Sequence, residues 1–333
     1  MADPLIAVVG ATGTVGRQVL TSLYQHEVQP DQVRLFSSER SEGEELDYDE
    51  ETLPTERPGP DAFRGVQAVI LAVPAHVARP LALQAQQQGA WVVDLSGAFR
   101  TDTAVPLVSP GVNDGVLDRP FSGRVVSLAR PATQALLGAL QPLRAKWGLT
   151  FADATLLAGA ASLGTAGVEA LSQQTAALLN AKEPEPGVFP HRLGFNVLPA
   201  IGGFEGGLCE AERQLLVEAA RIWSGEALPA LTATAVLVPA YHGLTLVVSA
   251  HLGRPVDADA VRETLKAESG LKLLDEPSQH IYPMPMLTTD DVAVHVGRVR
   301  ALGPRVQFVV AVDNAFRAAD TAVDVALELA ERA

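Results

Sequence analysis

A chain of 333 residues is long for one domain and comfortable for two, and 47% apolar residues with few aromatics points to an α/β protein with substantial cores. A net charge of −14 argues against nucleic acid or an anionic membrane as partner, and no run approaches the roughly 18 apolar residues of a membrane span. One cysteine excludes an internal disulfide framework and a Cys-type zinc cluster, and the histidines lack HExxH or other paired spacing, so no metal site is expected.

Leu5 to Val9 is a short apolar run ending in glycine, as a buried parallel strand should, and Val15, Val19, Leu20 and Leu23 follow at helical spacing. Val33 to Phe36, Val66 to Val73 and Trp91 to Asp94 read as further strands, with a helix near Val77 to Gln88 that Gly89 closes. Acidic Glu42 to Glu51 reads as a solvated loop. After about residue 150 the texture changes. Strands are expected at Phe151 to Leu157, Leu231 to Ala240, Leu244 to His251, Val292 to Val299 and Arg305 to Val312. Helices are interleaved near Thr165 to Asn180, Glu210 to Trp223 and Asp257 to Ala267, which describes a mixed sheet backed by helices. An amphipathic helix, Ala318 to Glu331, ends the chain. The N-terminus has no basic region followed by a long apolar run, so a soluble cytoplasmic protein without a signal peptide is expected.

The loop GATGTVG, Gly10 to Gly16, lies between the first strand and its helix. Glycines there let the backbone approach a pyrophosphate, whose charge the helix N-terminus attracts. This assigns Gly10, Thr12, Gly13, Thr14 and Val15 to a cofactor, although GxxGxxG also suits an ordinary strand–helix turn. At the end of the second strand, FSSERSEG offers Ser37, Ser38, Arg40 and Ser41 in place of a lone acid. A cation among hydroxyls suits the 2′-phosphate of NADP, whereas an acid suits the free ribose of NAD. A plain surface loop is the alternative, and Glu39 blurs the reading.

These strings, and others spread over almost the whole chain, resemble the aspartate-semialdehyde dehydrogenase family. The serine–arginine loop is similar to the family's SxRSxGK, with Glu45 or nearby acids in place of its lysine. DLSGAFR (Asp94 to Arg100) resembles DNSSAFR, whose arginine binds phosphate, and FNVLP (Phe195 to Pro199) resembles FNVIP. VGRVR (Val296 to Arg300) resembles VGRIR, and DNAFRAA (Asp313 to Ala319) resembles DNLRKGAA, which adds Asn314 to the cofactor residues. LLVEAARI resembles a helix carrying a substrate-contacting glutamate and a phosphate-contacting lysine, and Glu218 and Arg221 fall on those places. The resemblance thus implies that Arg100, Glu218 and Arg221 bind substrate or phosphate. It also implies a Rossmann-type NADP-binding domain of residues 1–127 plus 313–333, and a substrate and dimerisation domain of residues 128–312 in a homodimer. A monomer whose own segments cover the second sheet is the plain alternative.

The reactive residues do not follow. The segment Ser127 to Leu143, SLARPATQALLGALQPL, resembles ANPNCSTIQ followed by an apolar helix ending ALKPL, and the nucleophilic cysteine's place falls on Pro131. VPAYHGLTLVV resembles VPVFxGHSEAV, which puts the base histidine's place on Leu244 and the carboxylate-binding arginine's on Leu237. A glutamine of the family's TYQAVSGAG falls on Ala158. Substitutes are few: Cys209 starts a distant helix, and Thr133 and Ser127 are hydroxyls without an evident base. His242, two residues before Leu244, would share its face in a strand. The chain is therefore expected to be a catalytically degenerate member, most like the Usg-type paralogues, with NADP or phosphate binding retained. The alternative is an active NADP-dependent oxidoreductase on aspartate semialdehyde or another small carbonyl compound. A third reading, the related N-acetyl-glutamyl-phosphate reductase, also needs the cysteine and histidine.

Overall fold

The computed structural model describes residues 5–119, 121, 123–224 and 228–332, and the chain divides into two compact units. Residues up to Arg130 and those from Ala315 onward form one, and Pro131–Asn314 the other. The opening residues 1–4, part of the stretch read for a signal sequence, lie outside the described residues.

In the first unit the chain runs β1 (Ile6–Val9), α1 (Thr14–Gln25), β2 (Val33–Phe36), β3 (Glu45–Tyr48), β4 (Glu51–Glu56) and β5 (Ala68–Leu71). It continues through α2 (Ala75–Gln87), β6 (Trp91–Asp94), β7 (Leu107–Val108) and β8 (Val125–Leu128). The strands lie in the order β3-β4-β2-β1-β5-β6-β8-β7, and only the β3–β4 pairing is antiparallel. Both faces are covered, so β1 is apolar throughout rather than alternating. Ile6 and Val8 pack with Val19 and Leu23 of α1, while Ala7 and Val9 pack with Ala78 and Ala82 of α2. Val9 is level with Phe36 on one side and Leu71 on the other, so three loops leave the sheet along one edge.

The acidic segment is not a loop. Glu45–Tyr48 and Glu51–Glu56 form a hairpin in which Leu46 and Tyr48 face inward between exposed Glu45 and Asp47. The alternation of apolar and charged residues outweighs the charge density: Leu46 and Tyr48 join the core beside β1 and α1, and the Tyr48 hydroxyl donates to Val28 O at 2.7 Å. Burial pushes the Tyr48 phenol up to about 12.

The second unit opens with α3 (Pro131–Trp147), β9 (Leu149–Ala158) and α4 (Gly164–Leu179). A small hairpin, β10 (Phe204–Glu205) and β11 (Leu208–Cys209), leads into α5 (Glu210–Ile222), β12 (Ala230–Leu237) and β13 (Leu244–Leu252). Then come α6 (Ala258–Lys266), β14 (Leu271–Leu273), β15 (Val294–Leu302) and β16 (Arg305–Val312). The mixed sheet has the order β12-β9-β13-β16-β15-β14, with α3, α5 and α6 packed on it. Trp223 at the end of α5 donates to Gln141 Oε1 of α3 at 2.9 Å, and Arg144 lies over its ring, which locks those two helices together.

The last helix, α7 (Asn314–Ala330), belongs to the first unit from Ala315 on. Its Ala322, Val323, Ala326 and Leu329 complete the core that α1 begins, and its Asp320 accepts a hydrogen bond from Ser22 of α1 at 2.7 Å.

Candidate functional site

The turn from β1 into α1 is built for close backbone approach. Gly10 has φ +88°, and its amide donates to Phe36 O at 2.8 Å, which moors the loop to the end of β2. A Cβ on Gly10 would lie 2.8 Å from Val73 Cγ1, and one on Gly16 would drive into the Gly10 carbonyl. Gly13 caps α1 without any side chain, so no cap hydroxyl or carboxylate occupies the helix N-terminus. Thr12 is half-buried, Thr14 begins the helix at the surface, and Val15 packs against the core below. A pyrophosphate fits such a cradle: Gly10 and Gly16 leave room, and the capless end supplies N–H groups.

The second loop is moored as firmly. The Ser37 amide donates to Glu56 O at 2.9 Å and its hydroxyl to Thr55 Oγ1 at 3.2 Å, while the Thr55 hydroxyl donates to Ser41 O at 2.7 Å. Ser38 and Arg40 are exposed on this braced turn, and Ser41 is half-buried. Glu39 pairs with Arg57 at 3.3 Å, whereas Arg40 has no ion pair among the described residues. Of the acids that follow, Glu44 pairs with Arg17 of α1 at 2.6 Å.

Arg100 sits in the turn after β6, 7% exposed. Its Nε donates to Leu128 O at 2.7 Å and its Nη2 to Leu95 O at 2.8 Å, so backbone carbonyls fix the guanidinium plane. Asp94 holds the turn by accepting from Ser96 and from the Phe99 amide. Arg130, a residue the sequence reading passed over, reaches the same turn: its Nη2 is 3.5 Å from where a Cβ on Gly97 would stand. A lone charge in the apolar run VVSLARPA was the available signal.

In the second unit Pro131 is the first residue of α3, where a fixed φ and a missing N–H suit a helix start. The positions read as altered come together. Leu237 of β12 is paired with Ala158 of β9, and Ala158 with Leu244 of β13, so the three form one rung of the sheet. Residues paired across neighbouring strands share a face, and here that face is apolar. Leu237 is 1% exposed and lies in a cluster with Leu171, Phe189, Leu193 and Leu198. Leu244 is 6% exposed.

His242 does not share a strand with Leu244. β13 begins at Leu244, and His242 is exposed in the preceding turn, so the same-face argument for it fails. Gly243, with φ +76° between the two, breaks the extended backbone that the argument needs. The two hydroxyls thought to lack a base each donate to a carboxylate. Thr133 bonds Glu218 Oε2 at 2.7 Å and Ser127 bonds Asp94 Oδ2 at 2.9 Å. Pairings at separations of 85 and 33 residues leave no local sequence signal. Thr133 and Ser127 are fully buried, and Glu218 is 2% exposed, with Arg221 half-buried one turn further along α5. Cys209 caps α5, fully buried, its sulfur accepting from the Ile201 amide at 3.4 Å. Asn314 begins α7.

One group sequence spacing could not show is His26 with Asp320 and Asp324, whose ligand atoms lie within 4.8 Å of one another. Two α7 positions four apart face the end of α1, and the His26 Nε2 contacts of 3.3 and 3.4 Å, with the Ser22 bond, make a helix-to-helix clasp. Burial and the neighbouring Asp320 push the Asp324 carboxyl up, against the pull of His26.

Comparison with known proteins bears on both units. Residues 5–119 match the family model described as semialdehyde dehydrogenase, NAD binding domain, and residues 140–317 the one described as semialdehyde dehydrogenase, dimerisation domain. The chain is 32% identical over 304 residues to an aspartate-semialdehyde dehydrogenase of Bacillus subtilis, a match covering 89% of this chain and 87% of that protein. It is also 32% identical over 303 residues to a USG-1 protein homolog of Pseudomonas aeruginosa, covering 90% and 89%. The solved aspartate semialdehyde dehydrogenase II complexed with ASA from Vibrio cholerae superposes with a TM-score of 0.93 at 27% identity, over 100% of this chain and 99% of that one.

Proposed function

This chain belongs to the aspartate-semialdehyde dehydrogenase family, and we propose that within it the chain is a nucleotide-binding protein without the covalent dehydrogenase chemistry. The observation that carries the reading is the apolar rung Leu237–Ala158–Leu244, taken with Pro131 at the head of α3. Covalent oxidation of an aldehyde needs a nucleophile to add to the carbonyl carbon and a base to move protons at neutral pH. Proline has no such group. Leucine at 244 can neither accept nor return a proton, and leucine at 237 cannot anchor a carboxylate. A charged ligand group set against that rung would be desolvated without compensation, which costs several kcal/mol. Thr133 and Ser127 offer no replacement, since both are buried and committed to their carboxylates.

Nucleotide binding is retained on this reading, with NADP preferred over NAD. Arg40, beside Ser38 and Ser41 on a braced turn, supplies the cation that a 2′-phosphate requires, and the Gly10 to Gly16 cradle takes the pyrophosphate. Asn314 and the α1 residues Thr14 and Val15 complete the cofactor contacts by family position. Arg100, Glu218 and Arg221 keep the phosphate and substrate roles that their places imply, and two copies pair through the second unit to give a homodimer. When bound, the nucleotide supplies a hydride acceptor, and this chain's residues bind it without a thiohemiacetal to draw the hydride from.

Calorimetric titration with NADP and NAD tests the retained half. Saturable NADP binding at least tenfold tighter than NAD is expected. Absence of binding by either nucleotide at millimolar concentration refutes it.

A further inference from the structure

Where α1 ends, three side chains converge that neither the nucleotide cradle nor the apolar rung uses. His26 caps the C-terminus of α1, its amide donating to Ser22 O at 2.9 Å, so the helix end fixes the root of the imidazole. Asp320 and Asp324 stand four apart on α7 and so lie on one face of it. All three residues belong to the first unit. No paired spacing announces the group, because His26 and Asp320 are 294 residues apart.

The geometry fits a shared metal ion better than a hydrogen bond. His26 Nε2 lies 3.3 Å from Asp320 Oδ1 and 3.4 Å from Asp324 Oδ1, so two carboxylates approach one nitrogen almost equally. That nitrogen carries at most one proton, and a charge-assisted N–H···O bond is shorter, about 2.7–2.9 Å. Ligand atoms arranged tetrahedrally around a zinc-sized ion, with bonds of about 2.0–2.1 Å, stand roughly 3.3–3.4 Å apart. Both contacts match that edge. The ligand atoms of all three residues lie within 4.8 Å of one another, and the Asp324 side chain, 54% exposed, is free to swing and close the remaining edge. Asp320 is held ready: it is 7% exposed and accepts from the Ser22 hydroxyl at 2.7 Å, the kind of outer bond that orients a ligating carboxylate. Arg317, one turn earlier on α7, balances part of the Asp320 charge, so the donor geometry and not net charge carries the case. An imidazole nitrogen selects a zinc-class ion over Mg²⁺ or Ca²⁺, which take oxygen ligands.

We propose that His26, Asp320 and Asp324 form a site for a divalent transition metal of the zinc class, which ties the end of α1 to α7. The site does not depend on the nucleotide reading. Only the folded unit brings the three ligands together, so the metal stabilises the return of the last helix to the first core.

The test is calorimetric titration of the full chain, freed of metal by a chelator, with Zn²⁺, and with Mg²⁺ and Ca²⁺ as controls. His26→Gln and Asp324→Asn are run beside it, together with His191→Gln, which alters an exposed histidine of the second unit. Wild type and His191→Gln are expected to take up a single Zn²⁺ per chain in a saturable step, and to unfold at a higher temperature with it. Mg²⁺ and Ca²⁺ should do neither. His26→Gln and Asp324→Asn should each weaken the step about tenfold or more and lose the thermal gain. Should His26→Gln fold poorly, Asp324→Asn decides, because that half-exposed carboxylate has no ion pair other than His26 among the described residues. No saturable Zn²⁺ binding by wild type, undiminished binding in either ligand variant, or an equal loss in His191→Gln overturns the site.

Discussion

At the scale of single residues, Arg40 is the clearest lever. The charge-assisted bond we propose from it to a 2′-phosphate would be worth about 1.5–3 kcal/mol, roughly 10- to 150-fold in affinity. Arg40→Ala should lower NADP affinity by that factor and leave NAD affinity within about twofold, as titration of both nucleotides would reveal; an equal loss for both would mean Arg40 only braces the loop. A second lever is Asp291. Burial works to raise its carboxyl, but hydrogen bonds from buried His295, Lys272 and the Ala293 amide outweigh this and hold it below the usual carboxylate range. A depressed carboxyl stabilises the fold above its unfolded value, and that contribution disappears as pH falls through the folded value. Asp291→Asn should thus cost about 1–3 kcal/mol near neutral pH and converge on wild type as pH falls through the lowered folded value, as denaturant melts across pH would show. An undiminished gap at low pH would contradict this. The sequence reveals Arg40 because a local string defines its loop, but Arg130 and the Asp291–His295 pair depend on which residues the turns bring together.

At the scale of elements, the turn into α1 admits no side chain at Gly16. Gly16→Ala should destabilise the first unit by about 1–3 kcal/mol through overpacking and abolish nucleotide binding, measurable by thermal unfolding and titration. Full NADP affinity in that variant would mean the turn is an ordinary connection. Strands such as β1 and β6 are legible in sequence because buried parallel strands are continuous apolar runs bounded by loops. The β3–β4 hairpin is not, since its period-two signal, Leu46 and Tyr48, is short and set among acids. The apolar Val238, Pro239 and Ala240 extend the strand expected at Leu231 to Ala240, yet the pairing of β12 with β9 stops at Leu237. That Leu237, Ala158 and Leu244 share a rung follows from register, which sequence spacing alone cannot fix between strands this far apart in the chain.

For the whole molecule, the second sheet has one face packed by α3, α5 and α6, while Val247 on β13 is 43% exposed. Residues 140–317 match a dimerisation-domain model, and two-fold pairing is the commonest arrangement among homo-oligomers. Light scattering at micromolar concentration should give twice the 35.0 kDa chain mass; a monomer mass would leave that face without its proposed cover. The α/β class and the mixed second sheet were legible from the change of texture near residue 150. The return of α7 to the first unit rested on family likeness, because an amphipathic helix does not announce which core it joins. The central claim is that binding outlasted chemistry, and one assay addresses it most directly: phosphate-dependent NADP reduction with aspartate semialdehyde, run on wild type and Pro131→Cys at enzyme concentrations where NADP is bound. No turnover above background is predicted for either, since the added thiol still lacks the base and the carboxylate anchor that leucine at 244 and 237 cannot supply. Turnover by wild type within a few-fold of an ordinary family enzyme would contradict the account.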